Sequence, residues 1–306
     1  MSLKVLIVCK SKNNKPSPFI SEQVLSLQKL GVQCDYFFTT GKGIQGYLKS
    51  YFKLRSQLKK NKYDLIHGHF GLSGFICILQ RKTPVVVTFH GSDIHQKKNL
   101  KISRFVMKMA SQTIFVTEKL TLIAKPQNNY SIIPCGVDTE VFREYPKEES
   151  KRDLGLHIHQ NYILFSSSFQ NSIKNPELAL AAVESMENFE LIELTGYSRL
   201  EVAQLMNASD ICLMTSHDEG SPQFIKEAMA CNRPIVATDV GDVNYLLNDV
   251  SGTFISLANL KSIREALRIV HENGHSNGRE RIMNLKLDLE STAQKVLTVY
   301  NIAIKK

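Results

Sequence analysis

Long apolar runs are missing from this 306-residue chain. No stretch approaches the roughly 20 residues that a membrane-crossing helix needs. Met1 to Val8 passes directly into an apolar strand pattern, without the cleavable leader of a secreted protein, so none is expected. The six cysteines (Cys9, Cys34, Cys77, Cys135, Cys212, Cys231) contain no C-x-x-C pair, and most lie in apolar runs. That pattern argues against a structural zinc site and reads as reduced, buried thiols of a cytoplasmic protein. There is no internal repeat and no low-complexity tail. No helix-turn-helix, finger or RNP-like motif accompanies the net charge of +9, so nucleic acid is not the expected partner.

The length suffices for two α/β domains with full cores, and 43% apolar residues is ordinary for a globular protein. Charge is unevenly spread. Residues 1–145 carry 22 Lys+Arg against 8 Asp+Glu, a balance of +14, and residues 146–306 carry 16 against 21, a balance of −5. The first half therefore suits an anionic surface or acceptor. It opens with Leu3 to Val8, the near-continuous apolar run of a central parallel strand. Helical spacing from Phe19 to Leu30 ends at Gly31, a natural C-cap, and Val32 to Phe38 returns as a strand. This is the β-α-β opening of a Rossmann-like domain. The loop between strand and helix, Lys10 to Pro18, holds lysines and no glycine; those lysines read either as phosphate partners or as a solvated loop.

From Gly43 to Tyr63, Ile44, Tyr47, Leu48, Tyr51, Leu54 and Leu58 recur at helical spacing, while Lys49, Lys53, Arg55, Lys59, Lys60 and Lys62 occupy other positions. A basic helix with aromatic residues can lie on an anionic membrane surface. An ordinary surface helix, apolar stripe inward and lysines in water, fits the same pattern. His67 and His69 follow one strand, and His90-Gly91-Ser92-Asp93 ends another, Pro84 to Phe89. Both histidine groups stand at strand C-termini, where parallel α/β sheets bind ligands. A zinc reading of the three histidines lacks a carboxylate at metal-site spacing.

The most informative stretch runs from Ile211 to Thr238. An apolar strand is followed by Glu219-Gly220-Ser221-Pro222-Gln223, then a helix with Phe224, Ile225, Ala228 and Met229 on its apolar face, then the strand Pro234 to Thr238. Ser221 is a suitable N-cap and Pro222 a suitable first helical residue. Either carboxylate alone, Glu219 or Glu227, reads equally well as an ordinary solvated or helical residue. The complete run, Glu-Gly-x-Pro with a second Glu eight positions after the first and then Ala-Met-Ala, resembles the family-four retaining glycosyltransferases (glycosyl transferases group 1). Thr88 to Asp93 and Ser131-Ile-Ile-Pro134-Cys135-Gly136-Val137-Asp138 resemble two further family segments, with Cys135 where Asn is usual.

The resemblance implies an α/β protein of the GT-B fold: two Rossmann-like domains facing across a cleft, with a C-terminal helix crossing back to the first. The expected divisions are 1–145 for the acceptor-binding domain, 146–286 for the nucleotide-sugar domain and 287–306 for the returning helix, with Arg143 to Asp153 as linker. It implies that His90 contacts the donor sugar, Glu219 its hydroxyls and Glu227 the ribose. Lys174 and the helix start around Gly220, Ser221, Pro222 and Gln223 would hold the pyrophosphate. Relatives place an Arg six residues before that Lys; here Ser168 stands there, offering a hydrogen bond without charge. His67, His69 and Asp93 are weaker acceptor-side candidates. The interval from Glu187 to Asp210 is too short for the usual pair of βα units, which trims the base-reading region. No Asp-x-Asp metal motif occurs. The expected activity is sugar transfer with retention, from a nucleotide sugar (UDP most readily) to a glycan or lipid-linked acceptor, without cofactor or metal. The site would be cytoplasmic and peripheral to a membrane. The alternative is a degenerate GT-B protein that binds a nucleotide or a partner without catalysis.

Overall fold

The structure, a computed structural model, describes residues 2–11, 13–40, 43–127, 129–184 and 186–305, and all but the side chain at Ile44 within those. Lys12 of the first loop and the Ile44 side chain of the basic helix thus lie outside the described residues. The chain divides into two compact units, Met1–Gly136 with Leu289–Lys306, and Val137–Asp288.

Unit 1 runs β1 (Lys4–Lys10), α1 (Pro18–Lys29), β2 (Gln33–Thr39), α2 (Gly43–Lys60), β3 (Leu65–His69), α3 (Gly71–Ile78), β4 (Val85–Phe89), α4 (Ser92–His95), α5 (Lys97–Met109), β5 (Gln112–Phe115), α6 (Glu118–Ala124) and β6 (Tyr130–Ile132). Its six strands are ordered β2-β1-β3-β4-β5-β6 and pair in parallel, with Val5 opposite both Cys34 and Leu65. β1, β3 and β4 are buried on both sides because both sheet faces are covered, β1 and β4 with mostly apolar residues and β3 with His67 and His69 among its five. One face packs Leu6, Val8, Ile66 and Val87 against α2, α3, α5 and α6. The other packs Val5, Ile7 and Val86 against α1 and the last helix.

Unit 2 runs α7 (Lys147–Asp153), β7 (Asn161–Phe165), α8 (Pro176–Val183), β8 (Phe189–Glu193), α9 (Arg199–Ala208), β9 (Ile211–Met214), α10 (Gln223–Ala230), β10 (Ile235–Thr238), α11 (Val243–Leu247), β11 (Thr253–Ser256), α12 (Leu260–Asn273) and α13 (Gly278–Asn284). Its parallel sheet has the order β11-β10-β9-β7-β8. Ser198 caps α9 through a capping box with Glu201. The chain then re-enters unit 1 as α14 (Leu289–Ile304), whose Ala293, Val296, Val299 and Tyr300 join the core beside β1.

The expected boundaries shift. Val137 and Phe142 are fully buried in the core of unit 2, and Val137 bridges to Asp288, so the first division falls at Gly136 rather than at 145. The stretch expected as linker contains α7. Lys151 within it is buried, donating to the carbonyls of Ile158 at 2.8 Å and Gln160 at 2.7 Å. Of the clustered charges there, Lys151 is anchored by main-chain acceptors, while Glu148, Glu149, Arg152 and Asp153 stay exposed.

Candidate active site

In each sheet the topology reverses at one place, between β1 and β3 in unit 1 and between β7 and β9 in unit 2. Ligands of parallel α/β sheets bind beyond the strand ends at such reversals. In unit 2 the two loops flanking the reversal carry Lys174 and Glu219, which form an ion pair. Ser216 Oγ donates to the same Glu219 Oε1 at 2.8 Å. Sequence reading placed both residues at the site but did not foresee that they meet.

The supports are specific. Thr215 Oγ1 donates to the carbonyls of Lys174 at 3.0 Å and Asn175 at 2.8 Å, tying the loop after β7 to the end of β9. Asn175 has the left-handed backbone that starts α8, with φ 53°. Thr238 Oγ1 donates to Ser216 O at 2.8 Å. Gly241, at φ +57°, lies against the Gly220 carbonyl so closely that a Cβ would collide with it. Ser168 is half-buried, and its Oγ accepts from Gln170 N at 3.2 Å, so it shapes the loop that an Arg would have charged.

α10 begins at Gln223, with Pro222 rather than Ser221 as N-cap and no side-chain cap. Ser221 is not the cap because its Oγ is the acceptor for Lys226 Nζ at 3.2 Å. Lys226 is fully buried. The first N–H groups of such a helix have no carbonyl within it and present positive charge. One turn on, Glu227 is buried and paired with Arg199, Nη2 to Oε1 at 2.6 Å. Burial pushes the Glu227 carboxyl up, against the opposing pull of Arg199 and then Lys226. Arg199 also lies 4.5 Å over the Phe142 ring. Sequence reading missed Arg199: at the start of a capped helix it looks like a solvated residue, and only the fold brings it to Glu227.

In unit 1, His90 stands just beyond β4, between the rings of Phe70 at 4.5 Å and Phe19 at 5.0 Å. Its Nε2 meets His69 Nδ1 at 3.1 Å, and its Nδ1 lies 3.8 Å from Cys135 Sγ. Burial pushes His69 down to about 3, so it is neutral, and its Nε2 has no hydrogen-bond partner among the described residues. His67 belongs to the core instead. Its Nδ1 meets Tyr300 Oη of α14 at 2.7 Å and its Nε2 meets Thr88 Oγ1 at 2.8 Å. Burial, then the neighbouring His69 and His90, keeps it well below the usual histidine range. Asp93 lines a pocket beside the turn that follows β4, and its carboxylate accepts from the backbone N–H of Gly71 (3.0 Å), Gly91 (3.0 Å) and His90 (3.2 Å). It thereby fixes the turn on which His90 sits. Beside the reversal of this sheet, this pocket of about 310 Å³ is lined by Lys10, Tyr47, Phe70, Ser92, Asp93 and Asn99, among others. The Tyr47 hydroxyl there is buried without a partner among the described residues.

α2 forms as the spacing implies. Leu54 is fully buried, Tyr47, Tyr51 and Leu58 pack on the same core, and Lys49, Lys53, Arg55, Lys59 and Lys60 are exposed. Leu48 and Phe52 depart from the inward stripe and stand among those cations in solvent. Among the described residues no helix is long and apolar enough to cross a membrane.

Comparison with known proteins bears on this geometry. The family model described as Glycosyltransferase Family 4 matches residues 7–141, and that described as Glycosyl transferases group 1 matches residues 170–273. A Bacillus subtilis protein described as the teichuronic acid biosynthesis glycosyltransferase TuaC is 26% identical, over 89% of this chain and 82% of its own length. The D-inositol 3-phosphate glycosyltransferase of Mycobacterium marinum is 24% identical, over 63% of this chain and 52% of its own. Among solved structures, sucrose-phosphate synthase of Thermosynechococcus elongatus superimposes with a TM-score of 0.82 at 16% identity, covering 98% of both chains. Anabaena Alr3699/HepE in complex with UDP and glucose gives 0.76 at 17% identity, covering 98% of this chain and 99% of its own. These structural likenesses show the GT-B fold, two Rossmann-like units.

Proposed function

Since the chain belongs to the family-4 glycosyltransferases of glycosyl transferases group 1, we propose that it transfers a sugar, with retention, from UDP-sugar to a glycan or lipid-linked acceptor of surface polysaccharide. The observation that carries this reading is the convergence of Lys174 and Glu219 from the two loops flanking the reversal of the second sheet. Glu227 stands one turn into the adjacent helix. Transfer requires a site for the leaving pyrophosphate and a hold on the sugar. Lys174 and the start of α10 supply positive charge to the phosphates. Glu219 and Glu227, acceptor-only when ionised, take hydrogen bonds from the sugar and ribose hydroxyls.

Without donor, Lys174 neutralises Glu219; a pyrophosphate then competes with that carboxylate for the ammonium. The bond from the anomeric carbon to the phosphate oxygen breaks as the acceptor oxygen attacks from the same face, and the departing phosphate takes the acceptor proton. His90 is assigned to the reacting sugar on the family pattern. The UDP and UDP-glucose held by HepE support a uridine donor. The relatives' names, teichuronic acid and D-inositol 3-phosphate, support an acidic or phosphorylated acceptor, which suits the pocket beside Lys10. The exposed cations of α2 would meet the membrane that carries such an acceptor. The lysine and the helix start perform the charge neutralisation, so the proposed reaction needs no divalent ion.

Calorimetric titration with UDP, GDP and ADP in EDTA tests this. The expected result is UDP binding that Lys174→Ala weakens at least tenfold, with turnover of a UDP-sugar in EDTA. Nucleotide binding without transfer to any glycosyl phosphate would favour the non-catalytic reading, to which Ser168 in place of the usual Arg also points.

A further inference from the structure

α5 carries a feature that the proposed donor and acceptor sites do not use. Over its 13 residues, Lys97–Met109, it has five cations and no carboxylate. Ser103 and Val106 are buried, whereas Lys97, Lys98, Lys101, Arg104 and Lys108 are exposed together with Phe105 and Met109. α6 packs beside it in the same helical layer and exposes Leu122 and Ile123 at its end. Where the two helices meet, a surface pocket of about 270 Å³ is lined by Arg104, Met107, Lys108, Lys125, Pro126 and Gln127, among others. Among the described residues no carboxylate lines it.

Arg104 holds this corner in place, donating through Nε to the Ala124 carbonyl at 3.2 Å and through Nη2 to the Ile123 carbonyl at 3.0 Å. These are end-of-helix carbonyls, which carry partial negative charge. The guanidinium keeps its charge while it fixes the geometry. Lys108 and Lys125 make no ion pair among the described residues. A solvated lysine face explains cations alone; it does not explain four large apolar side chains exposed on the same two helices, α5 and α6, that bring the cations to this pocket. Leu122 is 69% exposed, although it follows the buried Leu120 and Thr121 in the same helix.

We propose that this corner of unit 1 docks on an anionic membrane. The pocket beside Arg104, Lys108 and Lys125 takes a phospholipid phosphate, and Phe105, Met109, Leu122 and Ile123 enter the interface. Interfacial anchors combine these two elements, apolar side chains at acyl depth and cations at headgroup level. The proposal rests on the reading that the acceptor is membrane-borne, and it adds a second contact to that of α2. Nucleic acid would use the cations without burying the apolar residues.

Co-sedimentation with vesicles tests it, using phosphatidylcholine alone and phosphatidylcholine with 30% phosphatidylglycerol. Each basic residue at such a surface contributes a factor of about five in affinity. Lys108→Glu with Lys125→Glu should therefore weaken binding to the anionic vesicles by at least about 30-fold. Phe105→Ser with Leu122→Ser, which leaves the charges intact, should also weaken it. UDP binding, measured on the same samples, should be unchanged in both variants and reports correct folding. Wild-type affinity in the charge-reversed variant would overturn the proposal. So would sensitivity confined to Lys53→Glu, Lys59→Glu and Lys60→Glu on α2, or binding only to free glycerol 3-phosphate or RNA. Vesicle binding retained in a protein that neither binds UDP nor transfers sugar would retire the transferase reading alone.

Discussion

Arg199→Met separates two roles that the structure gives one side chain. Glu227 is buried with Arg199 as a directly bonded cation, while Lys226 adds a more distant positive field. Removing one member of a fully buried pair costs about 3–5 kcal/mol. Arg199 keeps 30% of its side chain exposed. Solvent therefore screens the pair, and about 2 kcal/mol is the reasonable expectation. Met retains part of the packing over Phe142, whose cation–π contact is worth about 0.5–1 kcal/mol. In a unit of about 150 residues, each kcal/mol moves Tm by about 2–4 °C, so the transition of unit 2 should fall by about 4–8 °C.

The pH dependence identifies the cause. Burial raises the folded pKa of Glu227 above its unfolded value of about 4.3, so ionising it opposes folding. That cost is absent below the unfolded value and grows as pH rises through the folded one. Without Arg199 the folded value rises further, because desolvation loses its main opponent. The gap between wild type and Arg199→Met should therefore be largest at pH 7.5 and should shrink toward pH 5. Scanning calorimetry at both values measures it, with Glu227→Gln/Arg199→Met as the control that should lack this pH dependence. An equal loss at both pH values would refute the electrostatic argument and leave only packing on Phe142. No loss at either would show that the pair contributes nothing to folding.

Tyr300→Phe removes the hydroxyl that satisfies His67 Nδ1 in the core. Urea unfolding should show a loss of about 1–3 kcal/mol, the cost of stranding a buried polar atom. His67 and His69 are held below the usual range of about 6.5 and must gain protons on unfolding. The stability of unit 1 should therefore fall with acidification from about pH 6.5 downward, by up to about 1.4 kcal/mol per pH unit for each histidine; His69→Asn should flatten that slope. Gly241→Ala, strained at φ +57° and pressed on the Gly220 carbonyl, should displace the loop carrying Glu219. UDP affinity, read by calorimetry, should drop at least tenfold while the protein stays folded. Iodoacetamide at pH 8, followed by peptide mass spectrometry, should label Cys135 first. Burial pushes Cys9, Cys34 and Cys212 up to about 12 and raises Cys77 and Cys231 as well, leaving little thiolate at any of them.

Much of the architecture is local information and was legible as such. A central parallel strand covered on both faces reads as a near-continuous apolar run, so β1, β4, β7 and β9 stand out. Gly31, with its positive φ, closes the first helix region where the sequence places it. The unit boundary was less legible, because Arg143 to Asp153 is rich in charge and contains proline. Composition cannot show that the Lys151 ammonium has two carbonyls to bond or that Phe142 fills a core.

The candidate site divides along the same line. Glu219 and Glu227 were singled out because a long spaced motif carries them, Lys174 through the family resemblance, and the fold brings Lys174 and Glu219 together. Residues that act through a partner elsewhere in the chain escaped. Arg199 reaches Glu227 only after α9 and α10 pack in the same unit. His67 has the residue type of a site residue and reads from the sequence as standing at a strand end, yet it lies mid-strand in β3, and Tyr300, which engages it, comes from the last helix. A histidine that reads as standing at a strand end is therefore ambiguous until the chain that covers it is known. The same applies to cations: Lys151 and Lys226 are buried, whereas Lys108 and Lys125 stand at a surface pocket, although all four are lysines flanked by ordinary helix or turn sequence. Charge becomes informative about function only once burial has sorted the cations that stabilise the fold from those left facing a partner.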